Sequence, residues 1–134
     1  MYGGGVTTRH AACSCGQLRL EADGDPVRIS MCHCLACQRR TGSAFGMQAR
    51  FPKERVRIEG KATAYVRISD DGEERTFNFC PECGSTVYYW TDPELIAVPI
   101  GAFADPTFPQ PRVSVWESRR YPWLTLPDGM EHVD

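Results

Sequence analysis

No stretch of this sequence is apolar for long enough to cross a bilayer. The longest apolar run, residues 95–104, is broken by a proline and falls short of the roughly 20 residues a spanning helix needs. Charge of one sign is also lacking. Fifteen Lys and Arg face 17 Asp and Glu, the net charge is −2, and no basic stretch exceeds two residues. That balance supplies no field to draw the chain to nucleic acid or to an anionic membrane. Lysine is scarce, at two against 13 arginines, a skew read here as compositional background. The opening MYGGGVTTRH lacks the charged-then-apolar profile of a signal peptide. Residues 1–11 are therefore expected to be a flexible lead-in, and the chain is expected in the cytoplasm. No internal repeat, phosphate loop, paired-carboxylate motif or Ser-His-Asp order stands out, which leaves nucleotide-driven and triad chemistry without a carrier.

What is present points to strands. The 134 residues suit one domain, expected over residues 12–134, with 42% hydrophobic and 24% charged residues. Leu18, Leu20 and Ala22 alternate with Gln17, Arg19 and Glu21. Val27, Ile29 and Met31 alternate with Arg28 and Ser30, and Phe45, Met47, Ala49 and Phe51 with Gly46, Gln48 and Arg50. This period of two predicts strands with one buried face. Segments 63–69 and 75–79 flank a DDG turn and read as a hairpin. Further strands are predicted over 86–90, 95–100 and 112–117, and a helical turn or two over 35–40. The fold class is mainly β, with short connections punctuated by 10 prolines and 12 glycines.

The seven cysteines fall into three groups. Cys13 and Cys15 form Cys-x-Cys-Gly, and Cys80 and Cys83 form Cys-x-x-Cys-Gly. Cys32, Cys34 and Cys37 lie within six residues. Without an export signal the compartment is reducing, so clustered cysteines favour metal over disulfides. The two pairs make a closed, four-thiolate structural zinc, with Gly16 and Gly84 shaping knuckles. Sixty-five residues apart, they would clip early and late strands together. The middle three leave a zinc one ligand short, as catalytic or substrate-binding zinc requires. His33 is the rival fourth ligand. Its place between two ligating residues is awkward for one metal, which favours a supporting or solvent-facing position. The expected cofactor is two Zn²⁺ per chain.

At these residues the sequence resembles the glutathione-dependent formaldehyde-activating enzyme family, which includes relatives of centromere protein V. The resemblance rests on Cys-x-Cys-Gly, Cys-His-Cys-x-x-Cys and Cys-Pro-x-Cys-Gly in that order, and on the tail VSVWESRRYPWLTLPDG. It runs from about Ala12 to Gly129. It implies a zinc-stapled domain of several short antiparallel sheets. It also implies a structural zinc on Cys13, Cys15, Cys80 and Cys83, and a catalytic zinc on Cys32, Cys34 and Cys37. The implied activity is addition of glutathione to formaldehyde, formally a carbon–sulfur lyase run backwards.

Three thiolates on Zn²⁺ leave a net charge near −1, a poor Lewis acid for a carbonyl. Such a site can still take a thiol at its vacant position and lower that thiol's pKa. The expected partners are thus a small thiol and an aldehyde, or their adduct. Arg39 and Arg40 follow Cys37 and are suited to meet a carboxylate on the thiol. Ser43 and Phe45 lie just beyond, with Phe45 placed in the core by its alternation. Trp116, Tyr121 and Trp123 are expected as core or pocket wall. The alternative is a zinc-stapled protein- or nucleic-acid-binding module without catalysis. The open coordination position separates the two readings, because a binding module needs no second, three-cysteine site. Elemental analysis of protein purified without chelator is expected to find two zinc ions per chain. Changing Cys32, Cys34 and Cys37 to Ser should leave one; an unchanged count would remove the second site.

Overall fold

The computed structural model describes residues 7–133. Most of the expected lead-in, residues 1–6, lies outside the described residues, but its remainder is not a loose segment. Thr8–Ala12 is strand β1 and pairs antiparallel with β2 (Arg19–Asp23), from Thr8 opposite Asp23 to Ala12 opposite Arg19. Ala11 is buried there, Thr8 Oγ1 donates to Asp23, and Arg9 donates to the carbonyl of Gly24. The hairpin partner, not the intrinsic propensity of TTRH, makes this a strand. β5 (Val56–Glu59) completes a three-stranded sheet in the order β1-β2-β5. β5 buries little of itself. Arg57 holds it to β2 with a two-pronged contact to Asp23, at 2.7 and 3.0 Å, and a third bond to Glu21 at 3.0 Å.

The other strands form one large sheet. They are β3 (Arg28–Cys32), β4 (Gly46–Pro52), β6 (Thr63–Ile68), β7 (Glu74–Phe79), β8 (Thr86–Asp92), β9 (Leu95–Pro99), β10 (Val113–Val115) and β11 (Glu131–Val133). The order is β11-β10-β3-β4-β9-β8-β7-β6. Pairing is antiparallel from β3 through β6, while β10 adds parallel to both β3 and β11. The mainly β class is as expected, but the strands gather into two sheets, the larger one mixed. The one α-helix among the described residues, α1 (Leu35–Thr41), follows β3 where a helical turn or two is predicted. None of the described helices is long and apolar enough to cross a membrane.

The core lies between the two sheets. Leu18, Leu20 and Ala22 meet Ile29, Ala49, Phe51, Ile96 and Val98 of the large sheet. Phe51 is fully buried and its ring lies 6.2 Å from that of Phe103. The apolar positions of the sequence alternation therefore all point one way. On the opposite face of β3 and β4, Ser30 and Gln48 are also buried and Arg28 and Arg50 half-buried, so this sheet does not simply present a wet side.

Gly60, between β5 and β6, has φ +103°, and a Cβ there would stand 2.0 Å from the carbonyl oxygen of Gln17. Both the dihedral and the clash exclude a side chain. Gln17 in turn bonds Cys80 Sγ and both backbone groups of Lys61. Gly60→Ala is expected to destabilise the metal-loaded protein by at least about 1–3 kcal/mol in denaturant unfolding. It should also speed metal loss to a chelator; unchanged unfolding would refute the contact.

Candidate metal centres and the pocket beside them

Two loops of the same design bring four sulfurs together. In the first, Cys13 N–H donates to Leu18 O, Gly16 N–H donates to Cys13 O, and Leu18 N–H donates to Cys13 Sγ at 3.3 Å. In the second, Cys80 N–H donates to Ser85 O, Gly84 N–H to Cys80 O, and Glu82 N–H to Cys80 Sγ at 3.3 Å. Gly16 and Gly84 take φ values of +85° and +82°, which turn the chain back so that N–H groups aim at sulfur. The hydroxyls of Ser14 and Ser85 join the loops at 2.9 Å. All seven cysteines are free thiols. Cys13 and Cys15 Sγ are 3.6 Å apart, and Cys15 and Cys80 Sγ 3.7 Å. Zinc–thiolate bonds of about 2.3 Å set tetrahedral sulfurs about 3.8 Å apart, so this set fits zinc. Backbone N–H groups of Ser85 and Cys15 hold Cys83 down to about 5, so it is ready to ligate.

The second centre is built at the junction of β3 and α1. Cys32 ends the strand, Cys34 is the helix N-cap, and Cys37 lies in the first turn and donates its N–H to Cys34 Sγ at 3.3 Å. A thiol thus takes the capping place that Ser or Asp usually fills. The three sulfurs lie within 4.8 Å of one another. Hydrogen bonds from the thiols of Cys32 and Cys37, and then from backbone N–H groups, hold Cys34 down to about 2, while Cys32 is pushed up by sharing its proton with Cys34. This thiolate-rich set fits a thiophilic ion such as zinc. Among the described residues it has no fourth ligand.

His33 is not that ligand, nor does it face solvent. It is fully buried, and its Nε2 lies 3.0 Å from Ser114 Oγ on β10. Successive strand residues face opposite ways, so the pleat that turns Cys32 toward one face turns His33 toward the other. Burial pushes its pKa down, leaving a neutral imidazole that locks β10 against β3.

A cavity of about 460 Å³ opens over Cys32, Cys34 and Cys37. The Arg40 guanidinium stands 5.1 Å from the Phe77 ring centre and 5.2 Å from that of Tyr89, with NH2 3.7 Å from Cys37 Sγ. The rings fix the cation in front of the sulfur. Gly46 makes room for this contact, since a Cβ there would lie 3.3 Å from both Arg40 and Cys37. Trp116, also on the cavity wall, is held at φ +58°, a strained conformation for a non-glycine residue. A second, more apolar cavity of about 720 Å³ shares Cys37, Arg40 and Phe77, and Arg39 lines it with Leu35 and Tyr65. Ser43 lies past the helix end, exposed, in a groove with Tyr121 and Trp123 and away from the three sulfurs. The structure therefore brings Arg40 to the three-sulfur centre, sets Arg39 on the neighbouring cavity, and leaves Ser43 outside both.

Sequence reasoning missed Arg28, Arg50, Arg75 and Tyr89, which line the cavity over the sulfurs. Their signal was available. Arg28 and Arg50 occupy the non-core positions of two alternating strands, and β3–β4 register sets them directly opposite each other.

A family profile described as glutathione-dependent formaldehyde-activating enzyme matches residues 8–119. The chain belongs to that family. No curated protein matches the chain. A solved Rhodobacter sphaeroides protein is similar in fold, with a TM-score of 0.54 and 20% identity, over 69% of this chain and 85% of that one. Membership fits the two sulfur clusters and is consistent with zinc.

The two centres should respond differently to ligand loss. Cys80→Ser removes a fully buried sulfur that ties two loops and is expected to collapse the thermal transition or lower it by well over 10 °C. Cys34→Ser removes one sulfur but leaves a preferred capping residue at the start of α1, so it should melt close to the parent. Equal losses would refute the division between a structural and an open centre.

Proposed function

We propose that this chain is a zinc-dependent carbon–sulfur lyase-type enzyme. It would add a thiol, glutathione or a functional substitute, to a small aldehyde such as formaldehyde, and split the same adduct in reverse. The observation that carries the reading is a three-sulfur centre without a fourth protein ligand, facing a cavity with a fixed cation at its mouth. The family supports the glutathione and formaldehyde part of the assignment. The proposal includes two Zn²⁺ per chain, one closed on Cys13, Cys15, Cys80 and Cys83, and one on Cys32, Cys34 and Cys37. Zinc held by these three thiolates would supply a vacant position and lower the pKa of a thiol placed there.

The chain's own residues do the rest. Arg40, seated over the adjoining Phe77 and Tyr89 rings, meets an anionic group of the thiol close to the sulfur. Burial raises the Tyr89 pKa, so its phenol stays protonated at neutral pH and offers an O–H in the same cavity. As the thiolate attacks the aldehyde carbon, a carbon–sulfur bond forms and the carbonyl π pair moves onto oxygen. Tyr89 donates a hydrogen bond to that oxygen, and the proton lost by the thiol completes the hydroxyl. Reversal breaks the same bond.

Cobalt in place of zinc makes the centre visible. Glutathione is expected to strengthen the sulfur-to-cobalt charge-transfer band, and the effect should vanish in Cys37→Ser. Arg40→Ala should weaken glutathione about ten- to a hundredfold, the worth of one charge-assisted contact, and leave 2-mercaptoethanol nearly unchanged. Tyr89→Phe should keep thiol binding and lower turnover. If no thiol perturbs the spectrum, the reading fails.

A further inference from the structure

Among the described residues, five buried side-chain polar atoms lack a hydrogen-bond partner, and four of them belong to residues of one cavity. Arg28 Nε, Arg50 Nε, Gln48 Oε1 and Thr91 Oγ1 all belong to residues lining the cavity over the three sulfurs; the fifth, His33 Nδ1, does not. Each such atom costs about 1–3 kcal/mol if nothing meets it. Gln48 is 4% exposed, and its amide nitrogen is already committed to Ser30 Oγ, which leaves its oxygen free. Arg28 and Arg50 face each other across β3 and β4, a like-charge pairing that destabilises a sheet. Neither makes an ion pair among the described residues, whereas Arg9, Arg19, Arg57 and Arg75 each do. Burial, with Arg28 and Arg75 nearby, presses the Arg50 pKa downward. Arg50, half-buried with no carboxylate in ion-pair contact and, among carboxylates, only the more distant Asp92 opposing the shift, is costly to hold in the free chain. The cavity of about 660 Å³ over the small sheet differs on this point: its arginines are paired, Arg57 with Glu21 and Arg19 with Glu59, so it calls for no ligand.

We propose that Arg28, Arg50, Gln48 and Thr91 form an anion subsite. Its ligand is a carboxylate with an N–H or O–H donor beside it, carried by the thiol cosubstrate or its adduct. The guanidinium edges take the carboxylate, and Gln48 Oε1 takes the neighbouring donor. The inference rests on the reading of the same cavity as a thiol site, and it adds a length requirement. Cys32 lies four residue steps along β3 from Arg28, about 13 Å between backbones at about 3.3 Å per residue. A thiol that reaches both ends carries its carboxylate many bonds from its sulfur. Mercaptoacetate is too short, and glutathione is long enough.

The test uses the zinc-loaded full chain and calorimetric titration. S-methylglutathione, whose sulfur is blocked, is expected to bind at least about tenfold more weakly to Arg28→Gln and to Arg50→Gln. Arg50→Lys, which keeps charge but loses the fork, should fall between. Glutathione dimethyl ester should bind weakly and equally to all, and mercaptoacetate should ignore both Gln substitutions. Without ligand, Arg28→Gln and Arg50→Gln should melt at or above the parent, because the unpaired repulsion is relieved; a purely structural role predicts a lower melt. Unchanged S-methylglutathione affinity in both Gln variants overturns the subsite. If 2-mercaptoethanol still perturbs the cobalt spectrum in that case, the thiol-on-metal reading stands alone. If no thiol perturbs cobalt but S-methylglutathione binding is lost in Arg50→Gln, the subsite stands and the proposed reaction falls.

Discussion

The register of β3 against β4 is the constraint on which the molecule turns. Ile29 opposite Ala49 sends apolar side chains into the core. The same register sets Arg28 opposite Arg50, Ser30 opposite Gln48 and Cys32 opposite Gly46 on the other face. A slip of one residue would exchange the faces, burying arginines in the core and moving the cysteine away from its cluster. Core packing and site construction are therefore one requirement. The burial of Phe51 and Ala49 holds the sulfurs and guanidiniums on the cavity side as firmly as any contact within the site.

The two metal centres divide the work of chelation. The knuckles at Cys13 and Cys80 join loops in which Cys15 and Cys80 are 65 residues apart, and the Cys13 and Cys80 sulfurs receive N–H groups from their own loops. The three-sulfur centre is local, drawn from six residues at one strand-to-helix junction. Its geometry comes from the two-residue connection between β3 and α1 rather than from distant closure. One cluster thus bridges distant segments, while the other is confined to one strand-to-helix junction.

Much of this was legible in the sequence, for identifiable reasons. The alternation at 29–31 and 47–51 marked the central strands, and the cysteine spacing marked both clusters, because each pattern is local. β1, β5 and β11 were missed. β5 and β11 bury little of themselves and all three have short or no alternation, so only their partners make them strands. The parallel addition of β10 beside β3 depends on contacts more than 80 residues apart and has no local sign. His33 illustrates the same limit: its neighbours in sequence are metal ligands, but the pleat gives it to Ser114. The arginine excess, read as background, is partly concentrated around one cavity. Polar residues at the non-core positions of a strand look solvated in sequence, and only the other strands of the sheet decide whether they are.

The parallel seating of β10 also has a consequence for biosynthesis. Cys32, Cys34 and Cys37 emerge from a ribosome some eighty residues before Val113–Val115, the strand that seals their edge and buries His33. At about 5–20 residues per second, the nascent chain carries bare, reactive thiols for several seconds before that edge is covered. During that interval the cluster is open to oxidants and to whichever thiophilic ion arrives first. The identity of any ion the cluster takes up would therefore depend on cellular supply and timing as well as on affinity.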